Sequence, residues 1–286
     1  MSNSAPTANT TSVNWSGYAV ETNLGSPQKY AFTDVQASWI VPSLSPSASS
    51  NHTAYSSTWI GLDGDSSNTV EQIGVEQDYV NGKAVYYAWY EMYPKQPVKL
   101  DLVIEAGDKI SADVKYLGND TYQLTLDDVT SGQSSTTQVE SSKPIRSSAE
   151  WIEEGTGQVA DFNTVTFTKA SATATEPTGT ITGPISDPAW QTDQITLVSK
   201  SGGVIAAPTQ LSSGGSSFSI NYEANSNKVA TLRGSDGAHA ADMALLGQYA
   251  SSFAAPAGGT LIHDHIHDPL SANLTQTLTQ PHHAHD

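Results

Sequence analysis

Three glutamates fall within five positions of SSAEWIEEGTG, residues 147–157, interleaved with Trp151 and Ile152. In a strand, Glu150, Ile152 and Glu154 would share one face and Trp151 and Glu153 the other, with same-face neighbours about 6–7 Å apart. A solvated outer face is the plain reading of such a run in an acidic protein. The chemical reading rests on crowding, because carboxylates held together raise one another's pKa, as general acids and bases require. A second stretch, TVEQIGVEQDY at residues 69–79, sets Val70, Gln72, Gly74 and Glu76 on one face. Directed inward, Gln72 needs partners for its amide, since burying it unpaired is costly; directed outward, it is an ordinary surface residue. A third, TWIGLDGDSSN at residues 58–68, holds a tight acidic turn. Counted from Asp63, the sixth residue is Asn68 and the twelfth Gly74, where an EF-hand needs Gly and Glu. Calcium is therefore a weak candidate, and a turn in which Asp63 and Asp65 bond backbone amides is the alternative.

Several other chemistries find no residues. The chain has no cysteine, which removes disulfides, thiolate nucleophiles and Cys-ligated zinc. Neither a G-x-S-x-G elbow nor an H-E-x-x-H zinc helix occurs. Outside the last 30 residues only His52 and His239 are available to a Ser-His-Asp triad. Carboxylate and amide chemistry survives. The formal net charge of −17, from 29 acidic and 12 basic residues, repels nucleic acid and anionic membranes. Scarce Lys and Arg also leave little self-repulsion once the carboxylates are protonated, so acid should be tolerated. No run approaches the ~18 apolar residues of a membrane helix.

The elements that must carry these groups alternate with period two between clusters of Gly, Ser, Asn, Asp and Pro. DVQASWIVP sets Val35, Ala37, Trp39 and Val41 on one face. VYYAWYEMYP sets Val85, Tyr87, Trp89, Glu91 and Tyr93 on one face and Tyr86, Ala88, Tyr90 and Met92 on the other. VKLDLVIEA, KISADVKYL, TYQLTLDDV, NTVTFTK, DQITLVS and SFSINYE continue the pattern, with YLGNDTY and VTSGQSS as hairpin turns. Closely spaced strands without helical periodicity predict an antiparallel β-sandwich. The pattern ends near Tyr222; a polar linker follows, then a helix-spaced stretch over residues 237–254 and a His-rich tail. Residues 1–13 read as a polar segment, 14–223 as the functional domain and 224–286 as an appendage.

Six segments in order resemble the glutamic peptidase, or eqolisin, family: NWSGY at 14–18, SWIVP at 38–42, TWIGLDGD at 58–65, EQIG at 71–74, YYAWYEMYP at 86–94 and AEWIEE at 149–154. The resemblance implies an all-β fold, an antiparallel sandwich of two sheets in a concanavalin-like jelly roll, whose concave face binds an extended peptide. It also implies a catalytic glutamine and glutamate. The glutamine matches Gln72, and the glutamate, last residue of the A-E-x-x-x-E pattern, matches Glu154. Trp15, Trp59, Asp63, Trp89, Glu91 and Tyr93 match the family's substrate-contacting neighbours. Glu150 would then tune the pKa of Glu154, and Glu153 would face solvent. The fungal members carry disulfides, so this chain looks like the cysteine-free bacterial type; Glu76 stands where the family usually has Asp.

The residue types suit peptide hydrolysis. Glu154 as a carboxylate would take a proton from water and return it to the departing nitrogen, while Gln72 would donate to the developing oxyanion. A lone base with an ordinary pKa near 4 would stay ionised in mild acid. The expected protein is thus an acid-acting endopeptidase, a monomer acting on polypeptide substrates without cofactor or metal. Two other classes remain open: a sandwich glycoside hydrolase pairing Glu91 with Glu150 or Glu154, and a non-catalytic carbohydrate- or peptide-binding module. The N-terminus shows neither the basic nor the apolar region of a secretory signal. The C-terminal appendage resembles a segment recurrent in proteins of soil alphaproteobacteria, which makes it a candidate secretion segment and the expected location extracellular. His263, His265 and His267, with His282, His283 and His285, could capture a metal, but a solvated, pH-responsive tail is the simpler reading.

Overall fold

Sixteen strands form among the described residues, most of them on the alternating runs. VKLDLVIEA is strand only at Val98–Lys99, strands at Ala8–Ser12, Gln133–Glu140, Gly179–Pro184 and Val204–Pro208 lie outside the runs, and no helix is present among the described residues. The computed structural model describes residues 7–45, 53–155, 157–177 and 179–223; the linker, the helix-spaced stretch and the His-rich tail lie outside them. In chain order the strands are β1 (Ala8–Ser12), β2 (Trp15–Glu21), β3 (Phe32–Ile40), β4 (Ser57–Leu62), β5 (Val70–Val80), β6 (Lys83–Tyr93), β7 (Val98–Lys99) and β8 (Lys109–Gly118). They continue as β9 (Thr121–Asp128), β10 (Gln133–Glu140), β11 (Ser148–Glu154), β12 (Thr164–Glu176), β13 (Gly179–Pro184), β14 (Gln191–Val198), β15 (Val204–Pro208) and β16 (Phe218–Tyr222). Two tight hairpins follow directly from sequence. Asn81 and Gly82 join β5 to β6 with φ of 50° and 79°, and Asn119 and Asp120 join β8 to β9 with φ of 50° and 57°. Both central residues of such a turn need positive φ, which Asn, Asp and Gly tolerate best.

The strands lie on one hydrogen-bonded path, β10-β9-β8-β3-β12-β16-β15-β14-β2-β11-β4-β5-β6-β7, rather than in two separate sheets. Pairing along this path is antiparallel throughout. The long strand β12 makes it continuous: Thr164–Phe167 pair with β16, whereas Thr168 and the residues after it pair with β3 across an irregularity at Lys169, whose φ is 55°. Off the path, β13 pairs with β12 and β1 runs parallel to β14, so part of the N-terminal polar segment joins the sheet.

The path folds over its own apolar face. Trp39, Ile110, Val114 and Leu124 from one stretch share a single buried cluster with Ile60, Ile73, Ala149 and Trp151 from the other. The indole of Trp151 donates from β11 to the backbone carbonyl of Gln36 on β3 at 2.9 Å, tying the two layers. On β11, β4, β5 and β6 the alternate residues form a second, smaller cluster around Trp15, Trp59, Trp89 and Ile152. The period-two assignments for residues 70–76, 85–93 and 150–154 therefore hold, and this second face carries the candidate site.

Candidate active site

Antiparallel register aligns the second face into rows that cross the sheet. One row runs Trp15, Glu154, Ser57, Glu76, Tyr87. The next runs Gly17, Ile152, Trp59, Gly74, Trp89, and the third Ala19, Glu150, Gly61, Gln72, Glu91. Gln72 is thus level with Glu150 in the ladder, while Glu154 lies two rows away. Trp59 spans the interval. Its indole nitrogen donates to Glu154 Oε2 at 3.0 Å, and its ring edge lies against Gly61, where a Cβ would sit 3.0 Å from Trp59 Cζ3 and 3.2 Å from Gln72 Cβ. Gly74 makes room on the other side, since a Cβ there would meet Thr58 O at 2.5 Å and Trp59 Cβ at 2.6 Å. Trp15 packs edge-on against Trp59 with ring centroids 5.1 Å apart.

Glu154 is 3 % exposed and accepts from the Trp59 indole and, on Oε1, from the Asn14 side-chain amide at 3.3 Å. Asn14 is oriented in turn. The Ser12 hydroxyl donates to its Oδ1 at 2.8 Å, which leaves the NH₂ for Glu154. Burial pushes Glu154 up to about 8, with the hydrogen bonds from Trp59, Asn14 and Trp15 opposing and the Glu153 charge adding a little. The expectation of an ordinary carboxylate near 4 is therefore not met. Desolvation of the charged form outweighs the donors gathered around it.

Gln72 is fully buried, and its Nε2 donates to Glu91 Oε2 at 2.6 Å. Burial and the charge of Glu154 push Glu91 up to about 8, with the Gln72 bond opposing. Trp89 donates to the Ser57 hydroxyl at 3.1 Å, and Tyr93 packs half-buried against the aromatic cluster. Burial, followed by the charge of Asp78, drives Glu76 well above the carboxylate range. Burial pushes Asp78 up to about 7.

Asp63 occupies a different place from the one expected of a substrate contact. It has φ of 67° and is fully buried, and its carboxylate accepts from the backbone N–H of Ile145, Arg146 and Ser147 at 2.7–2.8 Å. The Ser147 and Thr69 hydroxyls also donate to it. It pins the segment that leads into β11 and so sets where Glu150 and Glu154 stand. Of the two aspartates expected to bond backbone amides, Asp63 does so, but with residues 145–147 rather than within its own turn.

The two remaining glutamates of β11 correct the sequence reading, because neither meets water. Glu150 is fully buried, neither oxygen has a hydrogen-bond partner among the described residues, and burial drives its pKa well above the usual range. Glu153 points into the sandwich interior, where Thr58 donates to Oε2 at 2.5 Å and Gln77 donates to Oε1 and Oε2 at 3.0 and 3.1 Å. Burial pushes it up to about 7. Sequence reasoning passed over Asn14, Thr58 and Gln77; Asn14 lies inside the quoted NWSGY segment, but nothing in one sequence shows that it meets residue 154.

Comparison with known proteins follows the same segments. The family model described as the Peptidase A4 family matches residues 13–222. Over 129 residues the chain is 37 % identical to aspergillopepsin-2 of Aspergillus niger, covering 41 % of this chain and 46 % of that protein. It is 34 % identical over 90 residues to scytalidopepsin B of Scytalidium lignicola, covering 31 % and 34 %. These alignments span less than half of either relative. The structure of aspergilloglutamic peptidase from Aspergillus niger superposes with a TM-score of 0.50 at 30 % identity, over 59 % of this chain and 98 % of that one. Scytalido-glutamic peptidase with a transition state analog inhibitor shares the fold, with a TM-score of 0.56 at 24 % identity over 76 % of this chain and 100 % of that one.

Proposed function

The chain belongs to the Peptidase A4 family, and from that premise we propose an acid-acting endopeptidase with Gln72 and Glu154 as catalytic pair and water as nucleophile. The observation that carries this reading is the environment of Glu154. It is a buried carboxyl on a tryptophan-lined sheet face, aimed by Trp59 and Asn14, with Gln72 joined to the neighbouring Glu91.

In the proposed reaction Glu154 removes a proton from water while the oxygen bonds to the scissile carbonyl carbon. The carbonyl oxygen gains the electron pair and accepts an N–H of Gln72. Glu154 then gives its proton to the amide nitrogen, the C–N bond breaks, and acid and amine leave. An oriented donor of this kind is worth about 2.7–4 kcal/mol.

Acid suits the site because its carboxyls ionise in sequence rather than together. The N–H donors of Trp59 and Asn14 favour the charge on Glu154, and that charge opposes ionisation of Glu91, so the two protons leave in order rather than together. The working state has Glu154 ionised and Glu91 neutral. A peptide and water entering the groove bring hydrogen-bond donors that oppose the burial of Glu154 and move its ionisation into acid. The buried carboxyls Glu71, Glu76, Glu150 and Glu153 all favour their neutral forms as well.

Polypeptides are the proposed substrates, and the protein is proposed to act as a monomer outside the cell, exported through residues 224–286. Among the described residues no helix is long and apolar enough to cross a membrane. Incubation with denatured casein and with β-glucan at about pH 3–5, with pepstatin and EDTA in parallel samples, tests the reaction class. Peptide release resistant to both inhibitors supports it, and sugar release or no hydrolysis refutes it. Unchanged extracellular activity after deletion of residues 224–286 would sink the export proposal.

A further inference from the structure

We propose that Glu91 is the positioning residue for the Gln72 amide, and that its protonation decides which groups that amide offers to the groove. The proposal rests on the Gln72–Glu154 reading above. Register places Glu91 directly across from Gln72, and the amide Nε2 donates to Glu91 Oε2 at 2.6 Å. Gln72 is fully buried, yet its Oε1 has no partner among the described residues. A buried amide with one spent donor and one bare acceptor is poorly satisfied, and a buried acceptor left bare is expensive.

The groups facing Glu91 explain why its proton matters. β5 presents Gln72 and Glu76, β6 presents Tyr87 and Tyr93, and Glu154 approaches from β11. The cation on β7, Lys99, lies 5.2 Å over the Tyr87 ring. The one ion pair among the described residues is Lys115 with Asp34, so no lysine or arginine there neutralises Glu91.

Two hydrogen-bonded states follow from the donor inventory. Ionised Glu91 is an acceptor only, and it draws a Gln72 N–H away from the position where an oxyanion would form. Protonated Glu91 has an O–H to give. With the amide turned over, that O–H satisfies the bare Oε1 and both amide N–H groups become free for the groove. Burial and the Glu154 charge favour this neutral form up to about pH 8. The oxyanion donor is therefore available in acid and withdrawn in base, which would set the alkaline limb of the activity.

The test measures kcat and KM on a fluorogenic peptide across pH for the full chain, E91Q and E91A, with near-UV circular dichroism so that only folded protein is compared. In E91Q the new amide can donate to Gln72 Oε1 at every pH, so the alkaline limb of kcat should rise by at least about one pH unit. In E91A the Gln72 amide loses its orientation, and kcat should fall by about 10²-fold with KM changed less than about threefold. The Gln72 side-chain N–H signals, assigned by their loss in Q72A, should titrate in the unsubstituted protein and stay fixed in E91Q. A wild-type alkaline limb in folded E91Q, or Gln72 signals that do not move with pH in the unsubstituted protein, would overturn the proposal; the second readout needs only Q72A, for the assignment, and not a folded Glu91 variant. Failure of the underlying reading looks different, because the unsubstituted protein would then cleave no peptide.

Discussion

Replacing Glu153 with glutamine should make the protein more stable at neutral pH while changing little in acid. Glu153 is fully buried between the layers, and Thr58 and Gln77 supply donors but no cation. Its pKa rises from 4.5 to about 7, so the charged form is the disfavoured one in the fold. Below about pH 4.5 both folded and unfolded chains hold the proton, and the contribution to stability is complete. Between about 4.5 and 7 the unfolded chain releases it and the folded chain does not, so stability falls as pH rises. At 1.36 kcal/mol per pKa unit the loss is about 3 kcal/mol. The E153Q substitution would remove the titration without losing the network. The new amide's carbonyl at the Oε2 position can accept from Thr58 and Gln77, and a rotation of the Gln77 amide brings its Oε1, buried without a partner among the described residues, to the new NH₂. Urea unfolding of both proteins at pH 4 and pH 7 measures the difference. E153Q should lose about 3 kcal/mol less between the two pH values. Equal losses would mean that Glu153 is solvated or already paired, and the account of the sandwich interior would be wrong.

Three further outcomes follow. The melting temperature of the unsubstituted protein should be highest in acid and fall as pH rises from about 4 to about 8, because burial raises Asp113 to about 6, Asp78 to about 7 and Glu21 to about 8; calorimetry showing a maximum above pH 8 would contradict this. Trp59→Phe deletes the donor to Glu154, so the acid limb of kcat should shift upward and kcat at pH 4 should fall about tenfold, since a bond to a charged group is worth about 1.5–3 kcal/mol. Trp151→Ala removes a fully buried indole and its bond to Gln36, and should cost about 3–5 kcal/mol in urea unfolding.

Much of the architecture was legible because period two assigns each side chain to a face without knowledge of the partner strand. The split of Glu150 and Glu154 from Glu153, and of Trp89 and Glu91 from Ala88 and Met92, came from that rule. The YLGNDTY and VTSGQSS turns announced two hairpins for the same local reason. What covers a face is a long-range matter. Glu153 meets Thr58 and Gln77 only because β4 and β5 come to lie beside β11, so a run that reads as solvated is buried on both faces. Asp63 reads like a groove residue from its motif, yet its use is to hold backbone 82–84 positions later in the chain. The upward shift of Glu154 was equally hidden, because desolvation depends on everything packed around a group and not on its neighbours in sequence.

The central claim is that a buried glutamate and a glutamine two strands away do the chemistry together. Steady-state cleavage of a peptide substrate in acid by E154Q, Q72A and the double variant, each with an intact fold by circular dichroism, tests it most directly. The expected result is a fall in kcat of at least about 10²-fold for each single variant, with the double variant little worse than the worse single one, because the two residues serve one transition state. Near-normal kcat in folded E154Q or Q72A would contradict the account.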